Sequence, residues 1–161
     1  MGSGSVGARN VGRTLGASGF AATFLLDAAK GALAVAGAGW LALRPAAVIT
    51  SIVAVVVGHN WPMQLRFRGG KGIATSLGAL LAYDPLIVLC LAAIFLPVVA
   101  LVRNVTLSGL LALALGPFAV WRAGLGKAEV AATSFLAILA LFTHRKKIQE
   151  QFARVAGHRE T

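Results

Sequence analysis

The chain has 161 residues, of which 58% are hydrophobic and 12% are charged, and its formal net charge is +10. Soluble domains are about 45–50% apolar and about a quarter charged, and a small soluble protein has too little interior to bury such an excess. The composition therefore excludes a soluble domain and predicts one bilayer-embedded domain, residues 1–161. The basic residues stand between apolar stretches, which disfavours nucleic acid and favours membrane lipids or a phosphorylated substrate as partners.

Six apolar segments predict an all-α integral membrane protein with about six transmembrane helices. In chain order the segments are Gly16–Leu43, Pro45–Gly58, Gly72–Tyr83, Pro85–Val102, Val105–Trp121 and Ala128–Thr143. The second and third are marginal for a crossing of about 30 Å, so half-helices and short spans packed through glycine both remain open. Gly116-Pro117 predicts a kink or an early end in the fifth segment. Cys90, the single cysteine, excludes a disulfide framework and a multi-cysteine metal site.

Lysine and arginine residues concentrate in alternate links between these segments. They lie mainly before the first segment, in residues 59–71, at Arg103 and after the last segment, whereas the link between the third and fourth segments has none. The positive-inside rule assigns the basic links to the cytoplasm. Both termini are therefore expected on the cytoplasmic side.

The most informative stretch is a basic loop that enters an apolar helix, GHNWPMQLRFRGGKGIAT, Gly58–Thr75. Gly69, Gly70 and Gly72 allow a ligand to approach the backbone, the following helix contributes its positive N-terminal end, and Lys71 adds a point charge. This combination predicts an anion site, with phosphate as the favoured anion. The spacing is not that of a nucleotide P-loop, because Gly72 directly follows Lys71. The alternative is a glycine turn with lipid-facing cations.

A second glycine-rich stretch precedes the first predicted span, GSGSVGARNVGR, Gly2–Arg13. Ser3, Ser5 and Asn10 offer hydrogen bonds, and Arg13 offers positive charge. Because a helix follows here too, the same reasoning predicts anion binding, although flexible N-termini often have this composition.

Two charged residues lie inside the first predicted span. Asp27 and Lys30 are three residues apart and share a helix face, so they can pair. Intramembrane charges usually face the bundle interior or a water-filled cavity. The pair is equally compatible with support of a polar site and with a purely structural tether between helices.

Polar residues also stand at the cytoplasmic ends of the later segments. Thr106 and Ser108 follow Arg103 at a helix start, where capping is favoured over ligand contact. His144 begins the basic C-terminal segment, where an interfacial role is favoured over that of an acid. These features and the two glycine-rich stretches all fall on one side of the membrane.

The strings GSGSVGARNVGRTLG, LLDAAKGAL and GHNWPMQLRFRGGKGIATSLG, together with the segment from His144, resemble one family. It is the bacterial acyl-phosphate:glycerol-3-phosphate acyltransferases of the PlsY type, and the resemblance covers residues 2 to about 148. The family's second motif, G-H-x-x-P-x-x-x-x-F-x-G-G-K-G-x-A-T, matches at every defined position. The resemblance implies a multi-pass enzyme of the bacterial inner membrane with a cytoplasmic active site. It would transfer a fatty acyl group from acyl phosphate to the 1-hydroxyl of glycerol 3-phosphate, without a cofactor, a metal or an obligatory protein partner.

The resemblance also implies roles for individual residues. Ser3, Lys71 and His144 would be catalytic, with Arg13, Lys71 and His144 holding glycerol 3-phosphate and Ser3 near the acyl phosphate. Asp27 and Lys30 would support the site from within the membrane. Phosphate binding is implied for Gly4, Asn10, Arg13, Gly69, Gly70, Gly72, Thr106 and Ser108.

Four positions depart from the family pattern. Ser5 replaces an asparagine, Arg9 a threonine and Lys147 an asparagine, and Glu150 stands at an arginine position. The chain also begins inside the first motif, so the first of the family's seven spans is expected to be missing. These departures leave open a weak or inactive relative that binds acyl phosphate or lipid. An anion carrier is a third possibility, supported only by Asp27 and Lys30 and opposed by the lack of an inverted repeat.

Overall fold

In the computed structural model, residues 5–41 and 44–157 are described, with side chains as far as residue 150. This portion of the chain is helical and contains no strand. The six helices are α1 (Ala8–Trp40), α2 (Pro45–Asn60), α3 (Ile73–Tyr83), α4 (Pro85–Val102), α5 (Val105–Arg122) and α6 (Lys127–Gly157). All except α3 are long and apolar enough to cross a membrane, α2 when the turn that follows it to Leu65 is included. The predicted all-α membrane protein with about six helices is confirmed.

Helix α3 is short, and most of it is buried by the surrounding protein. Its 11 residues extend for about 16 Å at 1.5 Å per residue, roughly half of the bilayer's apolar thickness. The α1 and α3 backbones touch: a Cβ atom on Gly31 would collide with the Thr75 carbonyl oxygen, and one on Gly78 with the Ala28 carbonyl oxygen. The segment is thus one short helix that packs against α1 through glycine. Its buried residues are Ala74, Thr75, Ser76, Gly78, Ala79 and Leu80.

Every helix contributes to one apolar core. Its fully or almost fully buried members are Val35, Ile52, Val56, Ala79, Leu80, Ile87, Leu91, Val120 and Leu136. Many other large apolar side chains are exposed, among them Leu33, Leu89 and Leu101. Exposed apolar side chains outside and a small packed core inside are the arrangement expected where lipid tails form the solvent.

The first helix differs from the predicted segment. It begins at Ala8 rather than at residue 16, so Arg9 and Arg13 lie in a helix and not in a link. The helix bends sharply at Gly16, where φ is 72° and ψ is −163°. That conformation is strained for any residue with a Cβ atom, and it separates the turns carrying the two arginines from the membrane-crossing section of α1.

Two later helices extend beyond the points where the sequence suggested an end, so of the two expectations for Gly116-Pro117 the early end is wrong. Helix α5 continues through Pro117 to Arg122, and Leu91 of α4 packs where a side chain on Gly116 would stand. Helix α6 continues well beyond Thr143, so His144 and the basic residues after it are helical. The C-terminal cations are thus held on a rigid element rather than on a free tail.

The cap of α5 also differs from the prediction that Thr106 or Ser108 would supply it. Asn104 is the N-cap residue, and its side-chain oxygen accepts hydrogen bonds from the amides of Thr106 (3.1 Å) and Leu107 (3.2 Å). Asparagine is a strong N-cap residue because its short side chain reaches these unpaired amides. The side chain of Thr106 therefore does not cap this helix.

The backbone contact between α1 and α3 generates a stability prediction. Gly31→Ala should lower the free energy of unfolding by about 1–3 kcal/mol, because the new methyl group must displace the α3 backbone. The matched control is Gly37→Ala in the same helix, where no atom lies within 4 Å of the added Cβ. The control should be neutral or slightly stabilising. Thermal unfolding of both purified variants in one detergent checks this, and equal melting temperatures would contradict it.

Candidate functional site

The glycine loop folds tightly against the end of α2. The amide of Gly69 donates to the Asn60 carbonyl (3.3 Å), and that of Gly70 donates to the His59 carbonyl (3.1 Å). A Cβ atom on either glycine would collide with His59, and Gly72 has a φ of 77°. The glycines are therefore required by loop packing and backbone conformation.

These contacts refine the predicted anion site. The amides of Gly69 and Gly70 are already paired with carbonyls, so they do not point to a ligand as the sequence suggested. Within the described residues, the amides of Lys71 and Gly72 have no such partner. Gly72 is the N-cap residue of α3, so the positive end of that helix begins directly after Lys71.

The two glycine-rich stretches of the sequence meet in space. The Ser5 hydroxyl donates to the Gly69 carbonyl (3.2 Å), and the Gly7 backbone packs against Gly70. The Asn10 side chain donates to the Ser5 carbonyl (2.8 Å), which holds the N-terminal segment in place. The N-terminal stretch is thus integral to the site.

A cavity of about 660 Å³ opens beside this junction. Its polar lining carries four cations, one carboxylate and several other hydrogen-bonding groups: Ser5, Arg9, Asn10, Arg13, Asp27, His59, Lys71, Ser76, Thr106, His144 and Lys147. The rest of the lining is mainly apolar and comes from α1, α3, α4 and α5: Phe20, Phe24, Leu77, Leu80, Val88, Leu91, Ala92, Phe95, Val105, Ala112 and Leu113. One cavity therefore offers both a strongly basic surface and a long apolar one.

The basic end of the cavity carries uncompensated positive charge. Burial, followed by repulsion from Lys147 and Arg9, lowers the pKa of Lys71 to about 8, and attraction to Glu150 only partly opposes this. Such crowding of like charges is unfavourable in the absence of an anion. A doubly charged phosphate would relieve it, which makes this the favoured place for an anionic group.

The structure brings together most of the residues singled out from the sequence. Those that line the main cavity are Asn10, Arg13, Asp27, Lys71, Gly72, Thr106 and His144. Gly69 and Gly70 line a smaller pocket of about 360 Å³, which shares Ser5 and Lys71 with the main cavity. Ser108 lies apart, because it is fully buried and its hydroxyl donates to the Asn104 carbonyl (2.9 Å). Ser3 and Gly4 fall outside the described residues.

Asp27 and Lys30 form the predicted ion pair, with Lys30 Nζ 3.3 Å from Asp27 Oδ1. Both also contact a residue that the sequence reasoning passed over: His59 Nδ1 lies 2.7 Å from Lys30 Nζ and 3.3 Å from Asp27 Oδ1. The sequence does contain a sign that His59 matters, because this residue belongs to the Gly-His pair that opens the second motif. Its partners on α1 could not be identified without the fold.

The chain is similar to known proteins in both sequence and structure. The model of a family described as "Glycerol-3-phosphate acyltransferase" matches residues 1–154. Glycerol-3-phosphate acyltransferase 1 of Desulfitobacterium hafniense is 42% identical over 159 residues, covering 99% of this chain and 79% of the relative. The enzyme of Clostridioides difficile is 40% identical over 155 residues, covering 92% and 75% respectively.

Two solved structures share the fold. Both are crystal structures of PlsY, an integral membrane glycerol 3-phosphate acyltransferase, one in its glycerol 3-phosphate form and one in its lysophosphatidic acid form. Each has a TM-score of 0.84 and 29% identity, and covers 94% of this chain. The match covers 76% of the chain in the first structure and 78% in the second.

The lowered pKa of Lys71 predicts a pH dependence of anion binding. In the free protein Lys71 loses its proton near pH 8, whereas a small phosphate monoester, with a second pKa of about 6, stays a dianion above that pH. The dissociation constant of the monoester should therefore rise from pH 7.5 to 9.5, by at most about tenfold per pH unit above the pKa. Calorimetric titration at a series of pH values measures it.

Lys71→Arg is the control for this dependence, because arginine stays protonated over the whole range. Its affinity should vary far less between pH 7.5 and 9.5. An unchanged pH profile in this variant would assign the titration to another group.

Proposed function

The chain belongs to the glycerol-3-phosphate acyltransferase family, and we propose that its acyl donor is acyl phosphate. It is a multi-pass membrane enzyme that acylates glycerol 3-phosphate, a step of phospholipid biosynthesis. With this donor the acyl group moves to the 1-hydroxyl of glycerol 3-phosphate, and the products are lysophosphatidic acid and inorganic phosphate.

One observation carries the choice of donor: a single cavity joins a cluster of cations to an apolar groove. Arg9, Arg13, Lys71 and Lys147 line its basic end, and apolar side chains of four helices line the remainder. An acyl phosphate has the same division, with a charged head on a long hydrocarbon chain. Burial of the chain contributes about 0.8 kcal/mol per methylene group, so the groove holds the donor while the cations neutralise its phosphate.

The chemistry requires positioning more than a protein nucleophile. The 1-hydroxyl oxygen of glycerol 3-phosphate attacks the acyl carbonyl carbon, a new ester bond forms, and the bond from that carbon to the phosphate oxygen breaks. The phosphate leaves with the bonding electrons, and a substrate phosphate oxygen takes the hydroxyl proton. Fixed cations that stabilise the developing charge and hold both substrates supply the catalysis.

The polar lining suggests how the two substrates divide the site. Arg13, Lys71 and His144 hold the phosphate of glycerol 3-phosphate, and the N-terminal end of α3 at Gly72 faces the acyl phosphate. Thr106 is a further candidate ligand, because it lines the cavity and its buried hydroxyl has no hydrogen-bond partner among the described residues. Roles for Ser3 and Gly4 remain predictions from the motif.

The distribution of charge supports a site at the cytoplasmic face of the bacterial inner membrane. The basic loop after α2, the arginines at the start of α1 and the cations late in α6 all line or adjoin the same cavity. Positive residues mark the cytoplasmic side of membrane proteins. Water-soluble glycerol 3-phosphate would then enter from the cytoplasm, while the acyl chain lies toward the lipid.

Two departures from the family pattern fit an active enzyme. The hydroxyl of Ser5 contacts the glycine loop at Gly69, so the segment stays docked without the family's asparagine. Lys147 lines the cavity and adds positive charge near Lys71.

The anion-carrier alternative was supported only by Asp27 and Lys30. The contacts of these two residues with His59 account for their presence in the span without a transport role.

Enzyme assays test the donor and the basic cluster together. Purified protein in lipid should release phosphate from palmitoyl phosphate only when glycerol 3-phosphate is present. Arg13→Ala and Lys71→Ala should each reduce kcat/KM for glycerol 3-phosphate by about 10- to 100-fold, the loss expected for a charge-assisted hydrogen bond. The matched control Arg122→Ala removes an exposed cation that does not line the cavity and should leave activity unchanged. Full activity of both site variants would overturn the assignment.

A second experiment tests the groove as the acyl chain site. Gly109 lines the cavity, and no atom lies within 4 Å of an added Cβ. Gly109→Leu should therefore fold normally but occupy some of the groove, so that activity with palmitoyl phosphate falls several-fold more than activity with octanoyl phosphate. Gly37→Leu, an equally open position outside the cavity, is the control. Equal losses with both donors would place the chain elsewhere.

A further inference from the structure

His59 connects the intramembrane charges of α1 to the glycine loop. It lies at the end of α2, is 8% exposed, and lines the main cavity. Its carbonyl oxygen accepts the Gly70 amide, and its ring lies between Lys30 on one side and Gly70 on the other. The ring therefore contacts both the loop that carries Lys71 and the ion pair within α1.

The contact with Lys30 assigns the tautomer of this histidine. Lys30 Nζ lies 2.7 Å from His59 Nδ1, and an ammonium group has three donors and no acceptor. Nδ1 must then accept with its lone pair. The ring proton of the neutral imidazole consequently resides on Nε2.

Asp27 stabilises this arrangement. Its Oδ1 atom lies 3.3 Å from Lys30 Nζ and 3.3 Å from His59 Nδ1. The carboxylate holds the ammonium group against the ring, which a flexible lysine side chain would not do alone. Without the ammonium group, Nδ1 would have only the carboxylate as a neighbour and would become the protonated nitrogen.

The opposite ring nitrogen faces the glycine loop. A Cβ atom on Gly70 would collide with Nε2, so no side chain separates this nitrogen from the loop backbone. Across residues 5–41 and 44–150, Nε2 makes no hydrogen bond. Because His59 also lines the main cavity, this donor lies at the cavity wall beside the glycine loop.

We propose that the Nε2–H group of His59 donates a hydrogen bond to the substrate phosphate at the glycine loop, with Lys30 and Asp27 as positioning residues that fix its tautomer. The proposal rests on the proposed function for the presence of that phosphate. A neutral donor suits this place, because the cavity already carries four cations and further charge would add to their repulsion. Hydrogen bonds to phosphate oxygens are among the stronger ones in proteins.

Nitrogen NMR of protein with labelled histidine tests the tautomer directly, because protonated and unprotonated ring nitrogens have well-separated chemical shifts. His59→Gln identifies the His59 signals by their loss. In the wild type, Nε2 should carry the proton, and its resonance should move on addition of glycerol 3-phosphate or inorganic phosphate. A proton on Nδ1, or an Nε2 resonance unmoved by saturating phosphate, would overturn the proposal.

Variants of Lys30 separate this role from a structural tether. Lys30→Met should transfer the proton to Nδ1 and raise the KM for glycerol 3-phosphate by about tenfold, because a lone pair would then face the phosphate. Lys30→Arg retains a donor and should preserve tautomer and KM, and Lys127→Met is the control for loss of an exposed lysine. A Lys30→Met protein that is less stable but keeps the wild-type tautomer and KM would show a tether only.

The two proposals fail in different ways. If acyl phosphate is not the donor, palmitoyl phosphate releases no phosphate, yet the NMR titration with inorganic phosphate still decides the role of His59. If His59 is not a donor, its resonance stays fixed while Lys71→Ala still weakens phosphate binding. His59→Gln, which keeps an amide donor at similar reach, should then bind phosphate no better than His59→Leu, whereas the proposal requires it to bind several-fold more tightly.

Discussion

The site depends on the contact between the glycine loop and the end of α2. Two backbone hydrogen bonds, from Gly69 to Asn60 and from Gly70 to His59, fix the loop where no Cβ atom could be accommodated. Because the loop is fixed, the next residue, Lys71, projects into the cavity and Gly72 starts α3. Any side chain on these glycines would separate the loop from α2 and move the charge on which anion binding depends.

Ion pairing beside this contact explains how charge is tolerated in so apolar a molecule. A charged side chain within a bilayer is costly unless it is paired or faces water. Asp27, Lys30 and His59 satisfy one another at the boundary between α1 and α2, whereas Lys71, Arg9 and Lys147 remain mutually repulsive. The charges of the first group are paired within the protein, and His59 of this group contacts the loop. Among the described residues the second lacks a matching anion, and burial together with repulsion from Lys147 lowers the pKa of Lys71.

Sequence reasoning predicted the helices well where the pattern is local. The fourth span was predicted with the bounds Pro85–Val102 that α4 has, because Asp84-Pro85 and Arg103 interrupt the apolar run on both sides. It failed where tertiary packing determines the structure. Helix α5 does not end at Pro117. His144 is buried on α6 and is not the interfacial residue that the sequence favoured. The roles of the loop amides and of Asn104 were missed for a related reason, since a motif shows which residues are present but not which hydrogen bonds they have already made.

Helix α3 is where these constraints combine into function. It packs against α1 through Gly31 and Gly78, and most of its residues are buried. Its first residues, Gly72 and Ile73, line the basic end of the cavity, whereas Leu77 and Leu80, further along the same helix, line the apolar groove. One short helix therefore presents its positive N-terminal end to the basic part of the cavity and its side to the apolar groove, where the proposed function places a phosphate and a hydrocarbon chain. A longer helix with bulkier contacts to α1 would keep the same motif but lose the geometry that lets a water-soluble and a lipid-soluble substrate meet.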